Sequence, residues 1–355
     1  MESKIDLRGL SLQELEDLAE QLGEKPYRGQ QIFKWLHGRR ITSFEAMTDL
    51  PKDFRKKLAE ATKLTSVEVK ERLVSNDNLT QKVLLSLEDG QLLECVLMSY
   101  DNGRRRQTAC LSSQVGCAMG CSFCATGKGG FYRNLSTGEI VLQAVSLLEK
   151  NKTNVNGNNQ RLSNIVFMGM GEPLLNYEAV LKAVRIFEDP LGWGISHRRI
   201  TISTCGIVPK ILELSKEEPP LELAISLHAT TNELRNRLMP INKRYPLEKL
   251  IPACKFYSEK TGRRVTFEYV LIANINDSKQ DALRLAELLK GMLAFVNLIP
   301  LNPIKGSNFR GSIDKKAYIF EGWLRKAGIE AAVRKSRGQD LNAACGQLRY
   351  RKEVF

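Results

Sequence analysis

No run of apolar residues in this 355-residue chain approaches the roughly 18 needed to cross a bilayer, so no membrane-spanning helix is expected. The opening residues, MESKIDLRGLSLQELEDL, lack the pattern of a secretory leader or a transit peptide, and a reducing, cytoplasmic setting is the expectation. In that setting the eight cysteines are thiols, ligands or catalysts, not structural disulfides. Tandem repeats and low-complexity tracts are absent, which sets aside solenoids and biased linkers. Acidic side chains are too few to balance the basic ones: 40 Asp and Glu stand against 53 Lys and Arg, a formal charge of +13. Such an excess favours a polyanionic partner and says nothing of fold.

The excess lies almost wholly beyond residue 75, yet the balanced N-terminal part contains one patch. KPYRGQQIFKWLHGRR, residues 25–40, has five Lys or Arg and no acid, interleaved with Tyr27, Phe33 and Trp35. That mixture suits phosphate contact with base stacking. It equally suits an amphipathic helix with a basic outer face and aromatic core residues.

Residues 1–66 read as a compact helical module. SLQELEDLAEQLG begins at Ser11 with Glu14 at capping-box spacing and ends at Gly23; PKDFRKKLAEATK opens on Pro51. Residues 67–103 change to short strands with turn signals at Asp89-Gly90 and Asn102-Gly103, and are expected to connect two domains. Residues 104–355 alternate. TACLSS, NIVFM (164–168), RITIS (199–203), LELAISL (221–227), VTFEYVLIA (265–273) and FVNLIPL (295–301) are apolar strands separated by helical stretches. Continuous apolar strands between helices predict a parallel sheet. The fold class is α/β: six units predict a partial (β/α)6 barrel with a small N-terminal helical domain. Reactive groups then belong at the C-terminal strand ends, where Ser112-Ser113, GMGEP (169–173), STCG (203–206), SLHAT (226–230) and LNP (301–303) fall.

GCAMGCSFCATG, residues 116–127, holds Cys117, Cys121 and Cys124 within eight residues. Zinc ribbons usually pair two knuckles, and only one is present; Cys110 is the available fourth ligand for that reading. Three thiolates on a four-iron cube would leave one iron open, as a catalytic metal requires.

Cys-x3-Cys-x2-Cys, with Phe123 before the last cysteine, resembles the cluster motif of radical S-adenosylmethionine (SAM) enzymes. Together with FMGMGEPLLN, STCGIVP, SLHA, LMPINKRYP, VNLIPLNP and NAACGQL, in that order, the chain resembles the RlmN/Cfr family of RNA adenosine methyltransferases over nearly its whole length. GMGEPLLN, with Pro173, is similar to the adenine-C2 branch; the branch that methylates C8 tends to lack that proline.

The resemblance implies one 4Fe–4S cluster on Cys117, Cys121 and Cys124, and two SAM molecules per turnover. It places Gly171, Glu172, Ser203, Ser226, Leu227, His228 and Asn302 at the SAM site. It implies that Cys345 accepts a methyl group from one SAM. A 5′-deoxyadenosyl radical from the second then takes hydrogen from that methyl, and the carbon radical adds to the adenine. Cys110 resolves the resulting protein–RNA adduct, and Glu94 is the proton acceptor. The implied partners are 23S rRNA and tRNA, with an electron donor such as flavodoxin or ferredoxin. Basic runs at 104–106, 197–199 and 243–244 are candidates to hold the RNA backbone. The sequence leaves Cys205, beside Ser203, without a role; Cys95 and Cys254 read as structural.

Overall fold

The computed structural model describes residues 4–101, 105–148, 161–303, 307–334 and 337–348. The expected turn at Asn102-Gly103 and Arg104 of the 104–106 run lie outside them. The helical module is tied end to end by a short parallel pair, β1 (Ile5–Asp6) and β2 (Thr62–Lys63). Between them run α1 (Leu12–Gln21), α2 (Tyr27–Phe33), a π-helical turn over Lys34–Gly38, and α3 (Lys52–Ala61). The capping box at Ser11 forms: its hydroxyl accepts from the Glu14 N–H at 3.3 Å, and the Glu14 carboxylate accepts from the Ser11 N–H at 2.7 Å. Gly29 lets α2 close on α1, since a Cβ there would fall 2.4 Å from the Glu16 nitrogen. Phe33 and Trp35 sit in this core, and of the patch's three aromatics only Tyr27 is exposed. The expectation of a stacking surface on this patch therefore fails for two of its three rings.

One sheet of ten strands forms the rest of the frame. β3 (Glu68–Val74), β4 (Thr80–Ser86), β5 (Leu92–Asp101) and β6 (Arg105–Cys110) pair antiparallel. A separate two-stranded ribbon follows, β7 (Gln114–Gly116) with β8 (Phe131–Asn134). Beyond the first crossover helix, α4 (Thr137–Leu148), the main sheet resumes with β9 (Asn164–Phe167), parallel to β6. Five more strands add in sequence order, all parallel: β10 (Ile200–Thr204), β11 (Glu222–Ser226), β12 (Val265–Leu271), β13 (Ala294–Pro300) and β14 (Ala331–Val333). The crossovers carry α5 (Tyr177–Glu188), α6 (Val208–Leu214), α7 (Asn232–Leu238) with α8 (Leu247–Thr261), α9 (Lys279–Leu289) and α10 (Asp314–Lys326).

All six expected parallel strands are present, as the outline of a partial barrel. Two features differ. A seventh parallel strand, β14, follows α10; its three residues are too few to show a period. The segment expected to connect two domains instead continues the main sheet, because β5 pairs with β6 along its length. Helix α4 is buried over every one of its twelve residues, as its all-round apolar run IVLQAVSLL requires. The strands β4 and β5, helix α5 and the residues before α1 pack around it.

Candidate active site

The cysteine loop is the connection of the β7–β8 ribbon. Gly116 takes φ +76°, and a Cβ there would lie 2.1 Å from the Gly130 oxygen. The loop is held at both ends and in the middle: Cys117 N–H donates to Gly130 O at 2.7 Å, and Ser122 N–H to Leu238 O at 3.0 Å. Upstream, Gln143 of α4 clamps the backbone of Ser112, accepting from its N–H at 2.8 Å and donating to its carbonyl at 2.9 Å.

Cys117, Cys121 and Cys124 face one open cavity of about 1020 Å³. Burial pushes the Cys117 thiol up to about 12 and raises that of Cys124. Thiols so desolvated keep their protons unless a metal replaces them. Among the described residues no three His, Cys, Asp or Glu converge as they do around a single ion. The three thiols line one cavity wall, and three thiolates on a four-iron cube would leave one iron open. Cys205 also lines this cavity, its Sγ 4.0 Å from that of Cys121. Beneath them Arg235 is wholly buried. Its guanidinium donates to Cys205 O (2.8 Å), Ser226 O (3.2 Å), Leu227 O (3.2 Å) and Asn242 Oδ1 (2.9 Å). A buried cation held by carbonyls, with no carboxylate on it, is electrostatically matched to an anionic thiolate cluster.

Across the same cavity stand Gly171, Glu172, Ser203, Ser226, His228 and Asn302. Gly171 has φ +100°, and its backbone approaches Gln114 so closely that a Cβ would fall 2.6 Å from that side chain. Glu172 is buried and raised in pKa by desolvation, opposed by N–H donors from Cys205 at 2.7 Å and Leu174 at 3.1 Å. A buried carboxylate with room before it is a site for an ammonium. His228 accepts the Val270 N–H on Nδ1 at 3.0 Å, which assigns its proton to Nε2. Burial pushes it down to about 3 and keeps it neutral. Its ring meets Phe123 edge-on, centroids 4.8 Å apart. Leu227 is different: its side chain is in the core, its carbonyl serves Arg235, and its N–H pairs with Glu268 O, so it does not line the cavity.

A second cavity, about 940 Å³, lies alongside and holds Cys110, Tyr100, Arg334 and Arg337. Cys345 lines both cavities. It is pinned there by neighbours: Asn302 Nδ2 donates to Cys345 O at 3.1 Å, Ala125 N–H to Gly346 O at 2.7 Å, and Gln347 Nε2 to Pro303 O at 2.8 Å. Asn302 thus spends its amide on this segment, its Oδ1 accepting from Gln339 at 2.8 Å. Burial pushes Cys110 up to about 12, with the nearby Cys345 adding to the rise and Arg334 opposing it. Residues 235 positions apart in the chain therefore share one wall. Glu94 lines neither cavity. It is buried on β5, its carboxylate 3.0 Å from Lys82 Nζ, and its carbonyl accepts from the Ser112 hydroxyl at 2.7 Å.

Residues 111–286 match the Radical SAM superfamily, and residues 5–64 match the ribosomal RNA large subunit methyltransferase N-terminal domain. A protein of Moorella thermoacetica named probable dual-specificity RNA methyltransferase RlmN is 65% identical over 350 residues, covering 99% of this chain and 98% of its own. The chain belongs to the RlmN family of radical SAM RNA methyltransferases. An RlmN-named protein of a Thermoanaerobacter species is 46% identical, with 98% and 99% covered. The crystal structure of a radical SAM methyltransferase from Sphaerobacter thermophilus superposes with a TM-score of 0.91 at 47% identity, covering 97% of this chain and 99% of that one. The radical SAM family uses a 4Fe–4S cluster and SAM, and the chemistry of the cysteine loop and of the glutamate opposite it fits that pair.

Several residues of this RlmN-family site are not evident from sequence. Arg235 and Glu268 look like ordinary helix and strand charges; only burial distinguishes them. Arg334 follows β14, the strand too short to be read. Cys205 is visible as a cysteine, but its approach to Cys121 is not.

Proposed function

We propose that this radical SAM RNA methyltransferase adds a methyl group to C2 of adenosine in 23S rRNA and tRNA through a methylated Cys345, with Cys110 releasing the product. The observation that carries the reading is the position of Cys345 in the wall between two cavities. One holds the cysteine loop and Glu172; the other holds Cys110 together with Arg334, Arg337 and Tyr100. The dual-specificity names of the relatives, and Pro173 in GMGEPLLN, support the choice of substrates and ring position.

Glu172 and the backbone at Gly171 hold the methionyl end of each SAM in turn. His228, neutral, presents its Nε2–H as a donor. The Cys345 sulfur displaces S-adenosylhomocysteine from the first SAM and keeps the methyl group. Arg334 lines the same cavity as Cys345 and Cys110. The cluster, when bound, supplies the electron that splits the second SAM into methionine and a 5′-deoxyadenosyl radical. Adenine C2 is electron-poor and resists a methyl cation but accepts a carbon radical, which explains the cysteine detour. The target base leaves its stack to enter, and Arg337, stacked 4.4 Å from the Tyr100 ring centroid, marks a site for a planar anion-linked guest. The adduct would return one electron to the cluster and its ring proton to Glu94, which lies on the same face of β5 as the cavity residues Val96, Met98 and Tyr100. The Cys110 sulfur then attacks that of Cys345, and a disulfide forms as the sulfur–carbon bond breaks and the released carbon takes a proton to become the methyl group.

Mass spectrometry of nucleosides from RNA modified by the purified enzyme tests the ring position. 2-Methyladenosine is expected; 8-methyladenosine as the main product would overturn the C2 assignment.

A further inference from the structure

We propose that a surface groove behind the cysteine loop is the docking site for an acidic one-electron carrier protein. The inference rests on the radical SAM reading above. The motif LMPINKRYP has no part in either cavity beyond Met239, and the second half of GMGEPLLN has none. Both contribute to this groove. Its apolar floor includes Met119, which lies in the loop between Cys117 and Cys121, together with Leu175, Ile241 and Tyr245. The groove shares no lining residue with either cavity.

Three observations point to this occupant. The first is proximity: Met119 is two residues from Cys117 and from Cys121, so a carrier seated on it lies against the loop that would hold the cluster. The second is chemistry: an exposed Leu175 beside Tyr245 offers apolar area for the edge of a small redox group. The third is charge. Lys210 and Arg244 line the groove, and Lys243 stands exposed beside them; the one acid in the lining is Glu178. Lys210 lies over the Tyr177 ring at 4.3 Å and also pairs with Glu213. A basic rim around an apolar centre complements an acidic carrier. A large RNA fits less well, because its target base must reach Cys345 in another cavity, and separate sites leave both partners bound at once. In the step itself one electron passes from the reduced carrier to the cluster. The carrier is oxidised by one electron and the cluster reduced by one, with no bond or proton exchanged across the interface.

The test uses the anaerobically reconstituted enzyme and three variants, Lys210→Glu, Lys210→Ala and Leu175→Glu. Reduced flavodoxin is the carrier in one arm and dithionite in the other, and the readout is loss of the cluster's visible absorption in a stopped-flow experiment. Expected are a fall of roughly tenfold in the flavodoxin rate for Lys210→Glu, as for lost steering, with a smaller fall for Lys210→Ala, a weaker salt dependence, and unchanged dithionite reduction and RNA affinity. An unchanged flavodoxin rate overturns the docking site. So does weaker RNA binding with normal flavodoxin reduction, which would make the groove an RNA-binding surface. So does loss of reduction by both reductants in all three variants, which would make it structural. Failure of the wild type to hold an iron–sulfur chromophore would instead refute the radical SAM reading.

Discussion

Mild acid should weaken this protein through a histidine far from the chemistry. His37 is fully buried in the π-helical turn of the N-terminal module, its ring centroid 4.5 Å from that of Phe33. Among the described residues neither ring nitrogen has a hydrogen-bond partner, and the Arg8 cation adds to the burial in pushing its pKa down to about 3. An unfolded chain takes up this proton as pH drops through about 6.5, whereas the folded chain resists to about 3. The unfolded state therefore binds more protons between those limits, and stability falls as pH falls. The slope reaches about 1.4 kcal/mol per pH unit below pH 6.5, so going from pH 7 to 4.5 costs about 3 kcal/mol from this one ring. His37→Phe keeps the ring volume and removes the titration. Urea unfolding of wild type and variant, followed by circular dichroism at pH 7, 6.5, 5.5 and 4.5, isolates it, because every other group cancels in the difference. The variant should gain on the wild type by about 3 kcal/mol across that range. Parallel curves for the two proteins would refute the argument.

The two cysteines proposed to act in sequence should fail differently: Cys345→Ala gives no methylated RNA and no adduct, whereas Cys110→Ala accumulates a covalent protein–RNA species. The double variant should behave as Cys345→Ala, the non-additivity of ordered steps; a denaturing gel with labelled RNA reads it, and absence of the Cys110→Ala band despite methylation at Cys345 would disprove the resolving role. Replacing Lys25, Arg28, Arg39 and Arg40 together with Ala tests the N-terminal patch. If it holds single-stranded RNA, the slope of log affinity against log salt falls by roughly 0.7 for each phosphate that the variant no longer neutralises, and an unchanged slope makes the patch a solvated face. Arg39 already stacks over the Trp35 ring at 3.9 Å, and Arg28 shares its charge with Glu24 at 3.6 Å, so a small change is expected.

Most of the barrel is legible in the sequence because buried parallel strands announce themselves as apolar runs, and all six that do so form. β14 is not, since AAV carries no period and gains its place only by pairing with β13. The wider sheet is hidden for a related reason: alternation marks β3 to β5 as strands but not their partner. The cysteine loop and GMGEP are legible as motifs. Leu227 shows the limit of reading by motif, because its neighbours Ser226 and His228 face the cavity while strand alternation turns it into the core. Arg235 and Arg334 are illegible, since the meaning of a charge depends on what buries it.

The wrapping of α4 has a consequence for how this chain can be cut. Gln143 of α4 fixes Ser112, the residue from which the cysteine loop departs, while the opposite face of the helix is closed by residues 7–9 and by Asp6, within reach of Gly138. A fragment beginning after the module would open an oily seam along its first crossover, loosening the helix that anchors the ligand loop. The two family segments therefore behave as one inheritance. Any shortened descendant would have to recolour the outside of α4 with charge before it could discard its first sixty residues.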